Sequence, residues 1–104
     1  MGSVDFYTTV TGTGTDIEAA FNAAREQARW EYGASGFTGT IAEKDGVTLL
    51  DEPKRSEQDA VVRAKQLLDG DDPRVSAKYG PAGALPVTTD DETDGWLFFG
   101  LAAY

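Results

Sequence analysis

Apolar and polar residues alternate from Val4 to Val10, with Val4, Phe6, Thr8 and Val10 on one side and Asp5, Tyr7 and Thr9 on the other. That is the period of a half-buried strand. Thr11-Gly12-Thr13-Gly14-Thr15 interrupts it, and the capping-box spacing of Thr15 and Glu18 predicts a helix from Asp16. Ile17, Ala20, Phe21, Ala24 and Ala28 recur at helical spacing as its core stripe, with Gly33 as the stop. Phe37 to Glu43 reads as a second strand. Asp45-Gly46 is a primed hairpin signal that returns the chain through Val47 to Leu50 as a third, which Pro53 ends. Ser56 and Asp59 form another capping pair. A second helix follows, with Ala60, Val61, Ala64, Leu67 and Leu68 as its stripe and Gly70 as its close. Asp72-Pro73 is placed to cap a short helix over 74–79, stopped by Gly80. Pro81 to Gly95 holds glycine and proline breakers and ends in Asp90-Asp91-Glu92-Thr93-Asp94, which predicts a mobile acidic loop. Trp96 to Tyr104 is the last strand.

The resulting order, β-α-β-β-α-β, predicts one α+β domain over residues 1–104 with a ferredoxin-like sandwich. Its sheet would have four antiparallel strands in the order 4-1-3-2, with both helices on one face. The last strand strains this picture, because it does not alternate. Trp96, Phe98, Ala102 and Tyr104 point one way, and Leu97, Phe99, Leu101 and Ala103 the other. One set would remain on an open sheet face beside Tyr7, a patch that a lone chain rarely exposes. A homo-oligomer interface through Trp96, Phe98, Tyr104 and Tyr7 is therefore expected, the competing account being that the 81–95 loop folds over this face. On the first helix Ala19, Ala23 and Trp30 lie away from the core stripe, and Trp30 is read as a further contact residue.

Length and composition narrow the chemistry. The 104 residues suffice for one core. Cysteine and histidine are both absent, which excludes disulfides, Cys/His zinc sites, thiol nucleophiles and histidine acid–base catalysis. Eighteen acidic residues against nine basic ones set a net charge of −9, which opposes direct binding to nucleic acid or to an anionic membrane. No apolar run approaches a membrane span, and Met1-Gly2-Ser3-Val4-Asp5 does not open a signal peptide. A cytoplasmic location is expected.

Motif readings are sparse. Gly12-x-Gly14 lacks the third glycine of a dinucleotide fingerprint, since Ile17 stands there, and Asp16 and Glu18 put negative charge where a phosphate would sit. Asp90-x-Glu92-x-Asp94-Gly95 opens like a calcium loop, but Leu101 stands where the closing Glu belongs. No metal and no cofactor are expected. Arg25 and Arg29, one turn apart with Tyr32 near the same edge, could hold a phosphate and stack a base. The glycine- and hydroxyl-rich stretch beyond them adds Ser35, Phe37, Thr38 and Thr40 as ligand contacts, with no base to activate a hydroxyl.

The segment Tyr32-Gly33-Ala34-Ser35-Gly36-Phe37-Thr38-Gly39-Thr40-Ile41-Ala42-Glu43-Lys44, after an alanine-rich helix, resembles small uncharacterised accessory proteins of phages that infect high-GC bacteria. The likeness covers the first half of the chain. It implies an accessory protein rather than a metabolic enzyme, and within that class an inhibitor of host defence. The expectation is a non-enzymatic homo-oligomeric binding protein that sequesters a small anionic or nucleotide-like ligand or blocks a host protein. Two alternatives stand beside it. One is an acidic decoy that offers Asp69, Asp71, Asp72 and Asp90 to Asp94 to a basic protein in place of phosphates; the other is a carboxylate-dependent, metal-using enzyme.

Overall fold

The structure, a computed structural model, describes residues 2–14, 16–33 and 38–103, without the side chain of Tyr32. It is α+β, with strands β1 (Ser3–Thr11), β2 (Val47–Leu49), β3 (Arg55–Ser56), β4 (Ala82–Thr88) and β5 (Asp94–Ala103). Helices α1 (Ile17–Tyr32) and α2 (Glu57–Asp69) and a 3-10 turn (Ile41–Glu43) are its other elements among the described residues. The strands form one mixed sheet in the order β1-β5-β4-β2, with β3 also on β4. β5 lies antiparallel to both β1 and β4, while β2 and β3 run parallel to β4.

This topology departs from the ferredoxin-like expectation in strand order, in strand direction and in where the helices lie. The chain leaves β1 at one edge, crosses through α1 to β2 at the other edge, then returns through α2 to β4. Parallel crossovers are right-handed almost without exception, so two crossovers in opposite directions put their helices on opposite faces. The packing agrees. Phe6, Ala20, Phe21, Ala24, Ala28, Ile41, Ala84, Phe98 and Ala102 form one core, under α1. Leu50, Ala60, Ala64, Leu67, Leu68, Val75, Leu85, Val87, Leu97 and Phe99 form the other, under α2.

The two-sided greasiness of β5 thereby finds its cause, because each face has its own helix. Phe98 meets Phe21 edge to face at 5.7 Å. Phe98 and Phe99 are both 0% exposed. The expectation that one face of β5 is left for a partner is corrected: Phe98 is sealed within the chain, and Trp96 packs against the same core from its border.

The predicted acidic loop over 81–95 is also corrected, since 82–88 is β4, 94 and 95 begin β5, and only 89–93 is a turn. β4 is a central strand that contains a proline, a placement normally excluded because proline cannot donate to the ladder. Pro86 is tolerated because β2 pairs with Ala82 to Ala84 and β3 with Val87 and Thr88, leaving residue 86 at the gap between them. Gly83 serves packing, since a Cβ there would stand 2.5 Å from Val75 Cγ1 and 2.7 Å from Phe99 Cζ.

Other local expectations divide. Asp16 caps α1, accepting from Ala19 N at 3.0 Å; the expected cap, Thr15, lies outside the described residues. Ser56 caps α2 through Asp59 N at 3.2 Å. Residues 41–43 form the 3-10 turn instead of a strand, so Asp45-Gly46 closes no hairpin. The 74–79 helix is replaced by turns, in which Asp72 Oδ1 binds Arg74 N at 2.9 Å. No helix among the described residues is long and apolar enough to cross a membrane.

Glu52 ties the return crossover together. It accepts from Arg63 Nε at 2.9 Å and Nη2 at 3.0 Å, and it forms an ion pair with Arg55 Nη1 at 2.9 Å. These contacts, led by the Arg63 hydrogen bond, hold its carboxyl below the ordinary 4.5 against the opposing effect of burial. A carboxyl depressed in the fold releases a proton that the unfolded chain retains, so its stabilisation is present above about pH 4.5 and is lost as pH falls. The stability difference between the protein and its Glu52→Gln variant, measured by urea unfolding, is expected to be constant from pH 7 to 5 and to shrink below that. Asp72, held at about 2 by the Arg74 guanidinium, keeps its own contribution to lower pH.

Candidate functional site

One end of the molecule collects acid. β1 ends there, since Thr11 pairs with Gly95 at the start of β5. The β4–β5 turn lies beside it, and β3 pairs with the last residues of β4, so α2 also begins there, as α1 does. Asp16, Glu18, Glu57, Asp59, Asp90, Asp91, Glu92 and Asp94 are all exposed at this end. Carboxylates in the first turns complement the helix dipoles, which explains four of them locally. Their convergence with the turn acids is a product of the fold. Arg55 is occupied by Glu52, which leaves Lys54 as the counter-charge: its Nζ donates to Asp94 Oδ2 at 2.8 Å. That bond, with Thr88 Oγ1 donating to Oδ1 at 3.1 Å, holds the Asp94 carboxyl below its usual range.

A hollow of about 240 Å³ opens within this acidic end, lined by Gly14, Lys54, Pro86, Asp94, Gly95 and Trp96. The Trp96 ring and Pro86 supply an apolar wall, and Asp94 and Lys54 its polar part. The Trp96 indole N–H is buried without an acceptor among the described residues. Lys54 and Asp94 retain 47% and 62% of their side-chain exposure, so their pairing is weak and exchangeable.

The turn itself is well made. Thr89 N donates to Thr93 O at 3.0 Å and Glu92 N to Thr89 O at 2.9 Å. Asp91 accepts from Thr89 Oγ1 and, at 3.3 Å, from Thr93 N, which lowers its pKa. Among the described residues no group of three or more carboxylates is arranged to hold a metal ion.

Of the residues expected to hold a nucleotide-like ligand, Arg25, Arg29, Thr38 and Thr40 have described side chains. Arg25 lies over the Phe21 ring at 5.5 Å and approaches Asp45 at 3.9 Å, whereas Arg29 is exposed. Thr38 and Thr40 are internally engaged. Glu43 Oε2 accepts from Thr38 N at 2.9 Å and Thr38 Oγ1 at 2.7 Å, and Thr40 Oγ1 caps Ala42 N at 3.2 Å. The Tyr32 side chain, Ser35, Phe37 and Tyr104 lie outside the described residues. Tyr7 is half-buried on the α2 face, with the Lys65 ammonium 5.7 Å from its ring centre. Burial, then the 2.7 Å bond to Asp5, raises its pKa. Asp69, Asp71 and Asp72 lie at or just beyond the C-terminus of α2, at the opposite end from the acidic cluster.

Lys44 was not singled out by its sequence context. Its side chain is fully buried, and Nζ donates to the carbonyls of Ala77, Lys78 and Gly80 at 3.1, 3.2 and 3.1 Å. Its stem runs past Gly100, where a Cβ would stand at an ordinary contact distance of 3.5 Å from Lys44 Cε. Burial pulls this ammonium below the usual lysine range. Its role is to pin the turns after α2 onto the α1 core.

Comparison with family models, curated proteins and solved structures finds no match for the chain.

Proposed function

We propose that the protein is a non-enzymatic acidic binding protein that captures a basic segment of another protein, one arginine or lysine side chain entering the Trp96 hollow. The observation that carries this reading is the aromatic-walled hollow set among eight exposed carboxylates. A cation there gains attraction from the indole face and from Asp94, and the surrounding negative field raises the rate of encounter. Lys54 is the chain's own stand-in for that guest: its ammonium already sits on Asp94. The guest need only displace an exposed pair of small worth. A non-enzymatic role is supported by how the buried ionisable groups are spent, Lys44 on backbone carbonyls and Glu52 on two guanidinium groups.

Calorimetry with a short arginine-rich peptide tests this reading. Binding is expected at low salt and should weaken steeply as salt rises. Lys54→Met frees Asp94 and removes the competing charge, so affinity should rise several-fold. Asp94→Asn should lower it, while Asp69→Asn at the opposite end should leave it unchanged. Equal effects of the Asp94 and Asp69 substitutions would reduce the interaction to bulk charge and overturn the assignment.

A further inference from the structure

We propose that the free edge of β1 is the seam of a two-fold dimer, in which β1 pairs antiparallel with β1 of a second copy and α1 packs beside α1. Among the described residues β1 pairs with β5 alone. Its other edge offers nine residues without proline or lysine, the residues that commonly blunt such edges. The strand is self-complementary. Centred on Tyr7, an antiparallel pairing engages all nine residues, Ser3 opposite Thr11, Val4 opposite Val10, Asp5 opposite Thr9 and Phe6 opposite Thr8. The apolar pair falls on the α1 face, and no two carboxylates oppose each other.

The helix above the edge carries the independent observation. On α1, Arg25 reaches toward Asp45, next to Gly46, whose carbonyl binds Ala82 of β4. The opposite flank holds Gln27, which lines a groove with Phe6 and Thr8 of β1. At 100° per residue, Ala23 and Trp30 lie about 40° and 60° beyond Gln27 on that flank, with Ala19 next to them. Trp30, 88% exposed, therefore stands above this flank, on the side of α1 turned away from the core stripe. A two-fold axis through Tyr7 runs the two α1 helices antiparallel and sets each Trp30 against the small Ala19/Ala23 surface of the other. The seam is about 30 Å long by strand rise and about 20 Å high through sheet and helix, or roughly 600 Å² per copy, at the lower limit of a standard interface. The occupant that fits is a second copy of this chain, since the same operation satisfies the strand edge, the alanines and the tryptophan together.

Sedimentation equilibrium of the full chain over a wide concentration range tests the proposal. The expected mass is twice 11.1 kDa. Trp30→Glu and Ala23→Glu, both at exposed helix positions that leave the circular dichroism unchanged, are each expected to weaken the dimer by on the order of tenfold or more. A monomer at every concentration, an open-ended assembly, or a dimer indifferent to both substitutions would overturn it.

Discussion

Phe98→Ala is expected to lower unfolding free energy by about 3–5 kcal/mol, a large part of the roughly 5–15 kcal/mol that holds a domain together. The ring is wholly buried among Phe21 and the alanines of α1 and β4, which are too small to close over the space it would leave. Phe99→Ala should cost a similar amount from the other side of the sheet, beneath α2. Trp30→Ala, on the exposed flank of α1, should fall within about 0.5 kcal/mol for the isolated chain. Urea unfolding of the three variants reads this pattern directly. If one face of β5 were held for a partner, Phe98→Ala or Phe99→Ala would instead alter assembly and spare stability.

The second large effect is at Lys44. Lys44→Met retains most of the stem that packs beside Gly100 and removes the group that binds three carbonyls. Hydrogen bonds from a charged donor are worth more than neutral ones, and the loss is partly offset because an ammonium no longer has to be buried, so a net cost of roughly 2–4 kcal/mol is expected. The damage should be local first. Amide exchange should accelerate at residues 76–80, where Gly80 N donates to Ala77 O at 3.0 Å, before it does in β5. Unchanged protection of that segment would mean its own turns hold it.

Much of this fold was legible. Strict alternation marked β1, and the alanine stripes marked both helices with Ser56 and Gly33 at their ends, because each signal is local and periodic. β4 was illegible for a physical reason. Gly83 and Pro86 read as breakers, yet the first yields space to Phe99 and the second sits at the gap between two short neighbours. Once β4 is lost, the return crossover disappears, both helices fall on one face, and β5 looks too greasy for a single chain. The acidic end suffered with it. Asp90 to Asp94 stood out as a charged run, but their meeting with Asp16, Glu18, Glu57, Asp59 and the Trp96 ring depends on β4 being a strand. A buried lysine leaves no mark at all, since Lys44 in sequence is one more charge before a glycine turn.

The Trp96 ring can report on its own occupancy. In a Trp30→Phe variant it is the sole tryptophan, and titration with an arginine-rich peptide is expected to change its emission saturably, with the change reversed by salt. A peptide that binds, as judged by its own anisotropy, while Trp96 emission stays unmoved would contradict the placement of the guest in the hollow.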